Sequence, residues 1–322
     1  VEKLLTLADD NDRVHVRYNI HGTETGRLSA NDGLHGIPRA NRDQWGAAIR
    51  GAFIAQEGYK IGKCDYAQAE LRAFAALSNE TFLLDMFANQ EDPHGNITLL
   101  VFGDDPRFVG MTKESYNKTT EAWALPPFAG YSSEDQKRYW KEKRTTGKNV
   151  VFGGLVYQGK APGIVAMIRA QTGKEIDIKV VDHVLTTMLA QMPNAAKWQM
   201  DQFRHARDHG FVQTRLGAKR RFMLITEDNL EDVKKASVNA PVQGVVAELL
   251  MIAVTQLINQ GVRILMLNHD ELVFEAKEEV IEETAQLVKR TMIDVAATYF
   301  PEVAWNADYA IGDRWYQHRP EF

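Results

Sequence analysis

Two short acidic stretches hold the residues in this chain that could do chemistry. The first is Asn268-His269-Asp270-Glu271, a polar break inside ILMLNHDELVFEA (264–276). Apolar runs flank it, Ile264 to Leu267 and Leu272 to Phe274, so it reads as the turn of a hairpin, although no Asn-Gly or Asp-Gly pair marks it. Strands this apolar hold the turn rigidly, and charges held so are costly unless they are paired or bind a metal. The second stretch runs from Cys64 to Arg72 (CDYAQAELR), where an apolar strand beginning at Tyr59 turns into a helix over about 68–77. Asp65 at that junction also suits a helix N-cap, and this stretch alone leaves both readings open. If the two strands are neighbours in one sheet, the Asp65 and Asp270 carboxylates meet. Paired carboxylates without His or Cys partners suit Mg²⁺ rather than zinc. Two such ions can activate an attacking hydroxyl and stabilise a leaving phosphate oxygen. A basic helix then acquires a role: Arg144 and Lys148 are four apart on one face, with Phe152 a turn further on. Two cations followed by an aromatic match a triphosphate with a base behind it.

The elements that must position these groups can be read in order. Val14, Val16, Tyr18 and Ile20 alternate with polar residues, predicting a half-buried strand. Residues 25–39, TGRLSANDGLHGIPR, are loop by composition. Phe53–Ala55 and Tyr59–Asp65 are strand candidates, and residues 80–135 mix short helices with loop. A charged helix is expected from about Glu134 through Val156; its Gly147, Gly153 and Gly154 each cost about 1 kcal/mol against Ala, which implies a packing or functional reason. Helical spacing recurs over 177–188, then up to a cap at Gly210, over 242–257, and over 278–299. Phe211–Phe222 reads as a hairpin or loop carrying basic residues. Strands from both ends of the chain around a long helical insertion give an α+β fold.

Composition bounds the rest. At 322 residues, 44% hydrophobic and 25% charged, the chain is globular and large enough for more than one structural unit. No apolar run approaches bilayer-spanning length and no signal-peptide pattern opens the chain. A single cysteine, Cys64, rules out an internal disulfide framework and a multi-cysteine zinc site, and fits a reducing compartment. It reads as a small buried residue, not a nucleophile. The net charge of −5 argues weakly against nucleic-acid binding, but Lys137, Arg138, Lys141, Lys143, Arg144 and Lys148 crowd one segment and Arg215, Lys219, Arg220 and Arg221 another.

With these residues in view, the chain resembles the polymerase domain of family A (DNA polymerase I-type) DNA polymerases over nearly its whole length. DYAQAELR resembles the family's first catalytic motif, NHDE its third, and RTTGKNVVFGGLVYQG its fingers-helix motif. TGRLSANDGLHGIPR, QTRLGAKRR, ASVNAPVQGVVAEL and GDRWYQH also have counterparts, in the family's order. The resemblance implies a right-hand fold with an antiparallel palm sheet. Residues 1–10 would be the end of a thumb, 11–78 and 230–322 the palm, and 79–229 the fingers, with an insertion at about 101–136. It implies template-directed addition of deoxynucleotides to a primer 3′ end.

Carried over by position, Asp65, the Tyr66 carbonyl and Asp270 would hold two Mg²⁺ ions, replaceable by Mn²⁺, with Glu271 close by. Arg144, Lys148 and His94 would grip the triphosphate, Lys148 also donating a proton to the departing pyrophosphate. Phe152 would pack on the incoming nucleotide, Tyr157 near the templating base, and Gln68 beside them. Glu70 would be the steric gate, its stem excluding a ribose 2′-OH by crowding. Arg27, Asn239, Gln243 and His269 would touch the primer–template end, where minor-groove acceptors are nearly sequence-independent. Lys219, Arg220, Arg221 and Lys235 (where the family usually has Arg) would contact phosphates, which position without specifying. Phe152 and Tyr157 also suit ordinary core aromatics, and Gln243 a helix cap.

Three departures qualify the resemblance. Phe152 to Tyr157 has one residue more than the family pattern, and the His94–Arg144 segment is longer. The chain also begins with Val, where the thumb would be ending, and no segment resembles 3′–5′ exonuclease motifs; this suggests a trimmed start or a second polypeptide supplying thumb, exonuclease or both. The rivals are a subunit of such a split polymerase, a non-catalytic primer–template clamp, and a single-subunit RNA polymerase, against which Glu70 and NHDE speak. The expected partners are primer–template DNA and dNTPs, with no membrane. The expected compartment is the cytoplasm of a bacterium or phage-infected cell, or an organelle.

Overall fold

The structure, a computed structural model, describes residues 6–20, 22–30, 34–37, 44–102, 116–117, 122–123, 133–150, 153–154, 158–173, 175–268 and 270–316; Phe152, Tyr157 and His269 lie outside these. In chain order the elements begin with β1 (Tyr18–Asn19), β2 (Ser29–Ala30), α1 (Gln44–Gly51) and β3 (Tyr59–Tyr66). Then come α2 (Ala69–Ser78), α3 (Thr81–Ala88), α4 (Pro93–Phe102), β4 (Tyr116–Asn117), β5 (Ala122–Trp123) and α5 (Ser133–Val150). Helices α6 (Ala161–Thr172), α7 (Ile178–Ala190) and α8 (Pro193–His209) lead to the hairpin β6 (Phe211–Gln213) and β7 (Lys219–Arg221). The chain closes with α9 (Leu230–Asn259), β8 (Arg263–Asn268), β9 (Glu271–Lys277), α10 (Ile281–Tyr299) and β10 (Ala307–Gly312).

One four-stranded antiparallel sheet, in the order β10-β3-β9-β8, joins strands from early and late in the sequence. Alternation sorts its side chains. Cys64, Tyr66, Leu272, Phe274 and Ala307 enter the main core with Val246, Leu249 and Leu250 of α9 and Val288 and Met292 of α10. Ile61, Met266 and Val273 point the other way, into a smaller cluster with Leu34 and Trp315. Asp65, Glu271 and Asp308 share that second face's parity. Gly62 lies opposite Phe274, and a Cβ there would sit 2.2 Å from the buried ring, so the close approach of the two strands requires glycine.

Several boundaries differ from the sequence expectation. Only Tyr18–Asn19 of the Val14–Ile20 stretch pairs as a ladder, because its partner β2 is two residues long before the Gly/Asn/Asp-rich loop begins; Val14 forms an isolated bridge with Ala8. Helix α5 is described as far as Val150 and Gly153–Gly154 form a π turn, while residues 151, 152, 155 and 156 of the expected helix lie outside the described residues. The glycines there do have a packing reason: a Cβ on Gly147 would lie 2.6 Å from Thr98 Oγ1 of α4, and one on Gly154 would lie 2.1 Å from Leu185 of α7. Helix α9 starts at Leu230, well before Val242, with Pro241 inside it. By length and composition the helix Glu227–Asn259 could cross a membrane, contrary to the expectation that no run comes close; 61% of its most apolar window is buried in the protein, so it is a core helix. Strand β10 has too weak an apolar alternation to announce itself.

Gly62→Ala should lower stability by about 1–3 kcal/mol in urea denaturation, the usual cost of overpacking. Adding Phe274→Leu should give a double variant less destabilised than the sum of the single ones.

Candidate active site

Pairing register builds the acidic site. Asp65 near the end of β3 is directly opposite Glu271 on β9 and directly opposite Asp308 on β10. Residues directly opposite on antiparallel strands project from the same face with Cβ atoms roughly 5 Å apart, so three carboxylates stand in one row. Asp270, in the turn before β9, completes the group. Asp65 is exposed to solvent. Lost hydration, then the charges of Asp270 and Glu271, push its carboxyl up to about 7. Glu271 is better balanced: Trp315 Nε1 donates to its Oε1 at 2.9 Å, and Lys63 Nζ and Arg50 Nη1 stand 3.7 and 3.9 Å away. Next to Asp65, the Cys64 thiol is fully buried and burial pushes it up to about 12, so it is not a nucleophile. The Tyr66 ring points into the core, its hydroxyl donating to the Met292 carbonyl at 2.8 Å.

Past the strand, Gln68 adopts a left-handed backbone (φ 55°), rare for a side chain other than glycine, and its Oε1 is buried with no hydrogen-bond partner. Glu70 in the first turn of α2 pairs with Arg27, brought over from the β1–β2 loop. Arg72 was not singled out by sequence, though an arginine inside the apolar run of α2 was a signal. It donates to the Ala67 carbonyl at 2.8 Å and to that of Ala304, and its guanidinium lies 4.2 Å from the Phe87 ring centre. It thus ties the turn after Asp65 to the segment before β10, and burial lowers its pKa to about 10. Asp308 was also missed, since only the strand order reveals it.

On the helical side, Arg144 of α5 makes a two-pronged ion pair with Asp92, Nε to Oδ2 at 2.6 Å and Nη2 to Oδ1 at 2.9 Å. His94, in the first turn of α4, is buried, and Lys148 is exposed on the last turn of α5. Arg220 on β7 pairs with Glu24 across a cleft of about 400 Å³ between residues 23–26, the β6–β7 hairpin and Ala240–Pro241. Lys219 and Arg221 line the same cleft, with Lys219 Nζ 4.5 Å from the Phe211 ring centre. Lys235, Asn239 and Gln243 follow one face of α9 at four-residue steps. Gln243 is buried, Asn239 has a buried Oδ1 with no hydrogen-bond partner, and Lys235 is exposed. Lys235 lines a separate cleft of about 730 Å³ with α7 and α8, so it is not grouped with the β7 cations.

An antiparallel sheet presenting acids at its open face, with cations on a helical unit inserted in the chain, defines the right-hand polymerase fold. A solved structure of the polymerase domain of Pol1 from M. smegmatis, in complex with DNA primer-template and dNTP, superposes with a TM-score of 0.77 at 26% identity, covering 98% of this chain and 50% of that one. The chain belongs to DNA polymerase family A, whose sequence model matches residues 1–121 and 130–317. The break between those ranges falls inside the 101–136 stretch. DNA polymerase I of Chloroflexus aurantiacus is 29% identical over 321 residues, 96% of this chain and 29% of that protein. The thermostable DNA polymerase I of Thermus aquaticus is 30% identical over 312 residues (94% and 32%), and the DNA polymerase of Bacillus phage SP01 27% over 309 (91% and 30%). The chain spans about a third of the length of these curated relatives.

The Asp65 carboxyl has a testable consequence. The folded protein keeps its proton up to about pH 7, whereas the unfolded chain releases it near the ordinary value of 3.8, so this group's contribution favours folding less and less as pH rises from 4 to 7. In chelator, Asp65→Asn should therefore gain melting temperature on the wild type across that window, with the two converging near pH 4.

Proposed function

We propose that this chain forms the palm and fingers of a template-directed DNA polymerase that adds deoxynucleotides to a primer 3′ end. The observation that carries the proposal is the carboxylate group around Asp65, built by strands from opposite ends of a chain that belongs to family A. Residues 11–78 and 230–322 are the palm, 79–229 the fingers with their insertion at about 101–136, and 1–10 the end of a thumb. The bacterial and phage relatives support a cytoplasmic setting.

The donor chemistry suits hard divalent ions: Asp65, Glu271 and Asp308 share one face of the sheet and Asp270 precedes β9, although the described residues do not by themselves form a closed cluster of three or more metal ligands. Asp65, Asp270 and the Tyr66 carbonyl would hold two Mg²⁺, with Mn²⁺ an effective substitute and Glu271 adjacent. When bound, such ions supply Lewis-acid stabilisation at the attacking and leaving oxygens.

The protein's own part is positioning and charge. Arg144 offers its guanidinium to the triphosphate, phosphate oxygens competing with the Asp92 carboxylate for the same N–H groups. His94 and Lys148 line the polyphosphate, and Lys148 gives the leaving pyrophosphate a proton. Glu70, held by Arg27 and flanked by Gln68, crowds out a 2′-hydroxyl, while Phe152 and Tyr157 lie against the new base pair. Asn239, Gln243, His269 and Arg27 meet the primer–template end. Lys219, Arg220, Arg221 and Lys235 meet its phosphates.

Primer extension with Mg²⁺ tests the reading. Asp65→Ala or Asp270→Ala should reduce extension at least about a thousandfold while duplex binding holds within severalfold, the pattern of a group needed in the transition state. Wild-type turnover in either variant would remove the metal assignment. Glu70→Ala should admit ribonucleotides at least about tenfold better, as loss of a steric contact allows; unchanged sugar selectivity would put the gate elsewhere. Extension that appears only after a second polypeptide is added would favour the split polymerase.

A further inference from the structure

The hairpin that presents Asp270 has a weak point. β8 is the outer strand of the sheet, so among the described residues alternate N–H and C=O groups along it have no strand partner. Its pairing to β9 also slips between Ile264 and Met266, and such an irregularity lets the strand bend just before the turn. Something outside the sheet has to fix the end of β8 if Asp270 is to keep one position.

Tyr18 of β1 meets that need from 249 residues away. Its hydroxyl donates to the Leu267 carbonyl at 2.8 Å and accepts from the Leu267 N–H at 2.8 Å. A phenol has one donor and spare acceptor capacity, so both bonds form at once. His35 Nε2 lies 3.0 Å from the same carbonyl, and its ring packs beside Tyr18 with centres 5.9 Å apart. Burial raises the Tyr18 pKa above its ordinary value, so the phenol keeps the proton it donates. The loop joining β1 to β2 also carries Arg27, which grips Glu70. One ribbon therefore holds both acidic segments, through Glu70 on the Asp65 side and through Leu267 on the Asp270 side.

We propose that Tyr18 is a positioning residue for catalysis: its hydroxyl clamps the backbone of Leu267 and so sets where the following turn presents Asp270. The catalytic consequence rests on the polymerase reading above; the clamp itself does not.

Tyr18→Phe removes the hydroxyl and leaves the ring. Amide hydrogen exchange over residues 264–268 should then become at least about tenfold faster, as expected when a buried hydrogen bond is lost. In primer extension kcat should fall by about five- to tenfold with the KM for dNTP within about twofold, the signature of a group that acts on the transition state rather than on nucleotide binding. Unchanged exchange overturns the clamp. Faster exchange with unchanged kcat overturns the positioning role and leaves a purely structural bond. A wild-type chain that extends no primer counts against the polymerase reading instead, and exchange still decides whether the clamp exists.

Discussion

Like charges placed side by side are the constraint on which this structure turns. A four-residue shift anywhere in the β3–β9 or β3–β10 pairing would separate Asp65 from Glu271 and Asp308, and a one-residue slip would send Asp65 to the core face. The register is held by the apolar half of the same strands: Tyr66, Leu272 and Phe274 can be buried under α9 and α10 only in this pairing. Apolar burial thus stabilises a sheet whose other face gathers carboxylates that repel one another. Lys63, Arg50 and Trp315 balance Glu271, and Asp65 bears most of the remaining cost.

The helical unit uses a different device. Its principal cation, Arg144, is not left to wander: Asp92 takes two of its N–H groups, and Asp92 itself sits at the start of α4, beside buried His94. Glu70 and Arg27, and Arg220 and Glu24, repeat the pattern. Side chains that could meet a polyanion are pre-oriented by carboxylates of the same chain. Preorganisation of this kind lowers the entropy lost when a ligand arrives, at the cost of having to displace the resident acid.

Much of this was legible in the residues. The NHDE hairpin and the strand before Asp65 could be read because apolar runs with abrupt polar breaks leave few alternatives, and β3, β8 and β9 lie close to where they were expected. Order among strands is not written in local pattern, so the Asp308 neighbour of Asp65 was invisible until β10 was seen beside β3. Helix α9 begins at Leu230, earlier than the expected 242–257, because the apolar pattern is strongest only past Pro241 while the helix itself runs through that proline. Arg72 was passed over because one cation in an apolar helix looks like surface until its carbonyl partners are seen.

The bond between Tyr18 and Leu267 bears on solubility as well. An uncovered outer strand is a template on which another molecule's backbone can add, the first step toward aggregation. Here one margin of the sheet has Leu267 occupied by a side chain. Beyond the other margin, Phe53 and Ala55 hydrogen-bond to Trp315 and Asp313, just past β10. Both flanks are thus partly closed to foreign strands, so the sheet can carry its acidic row without inviting pairing between molecules.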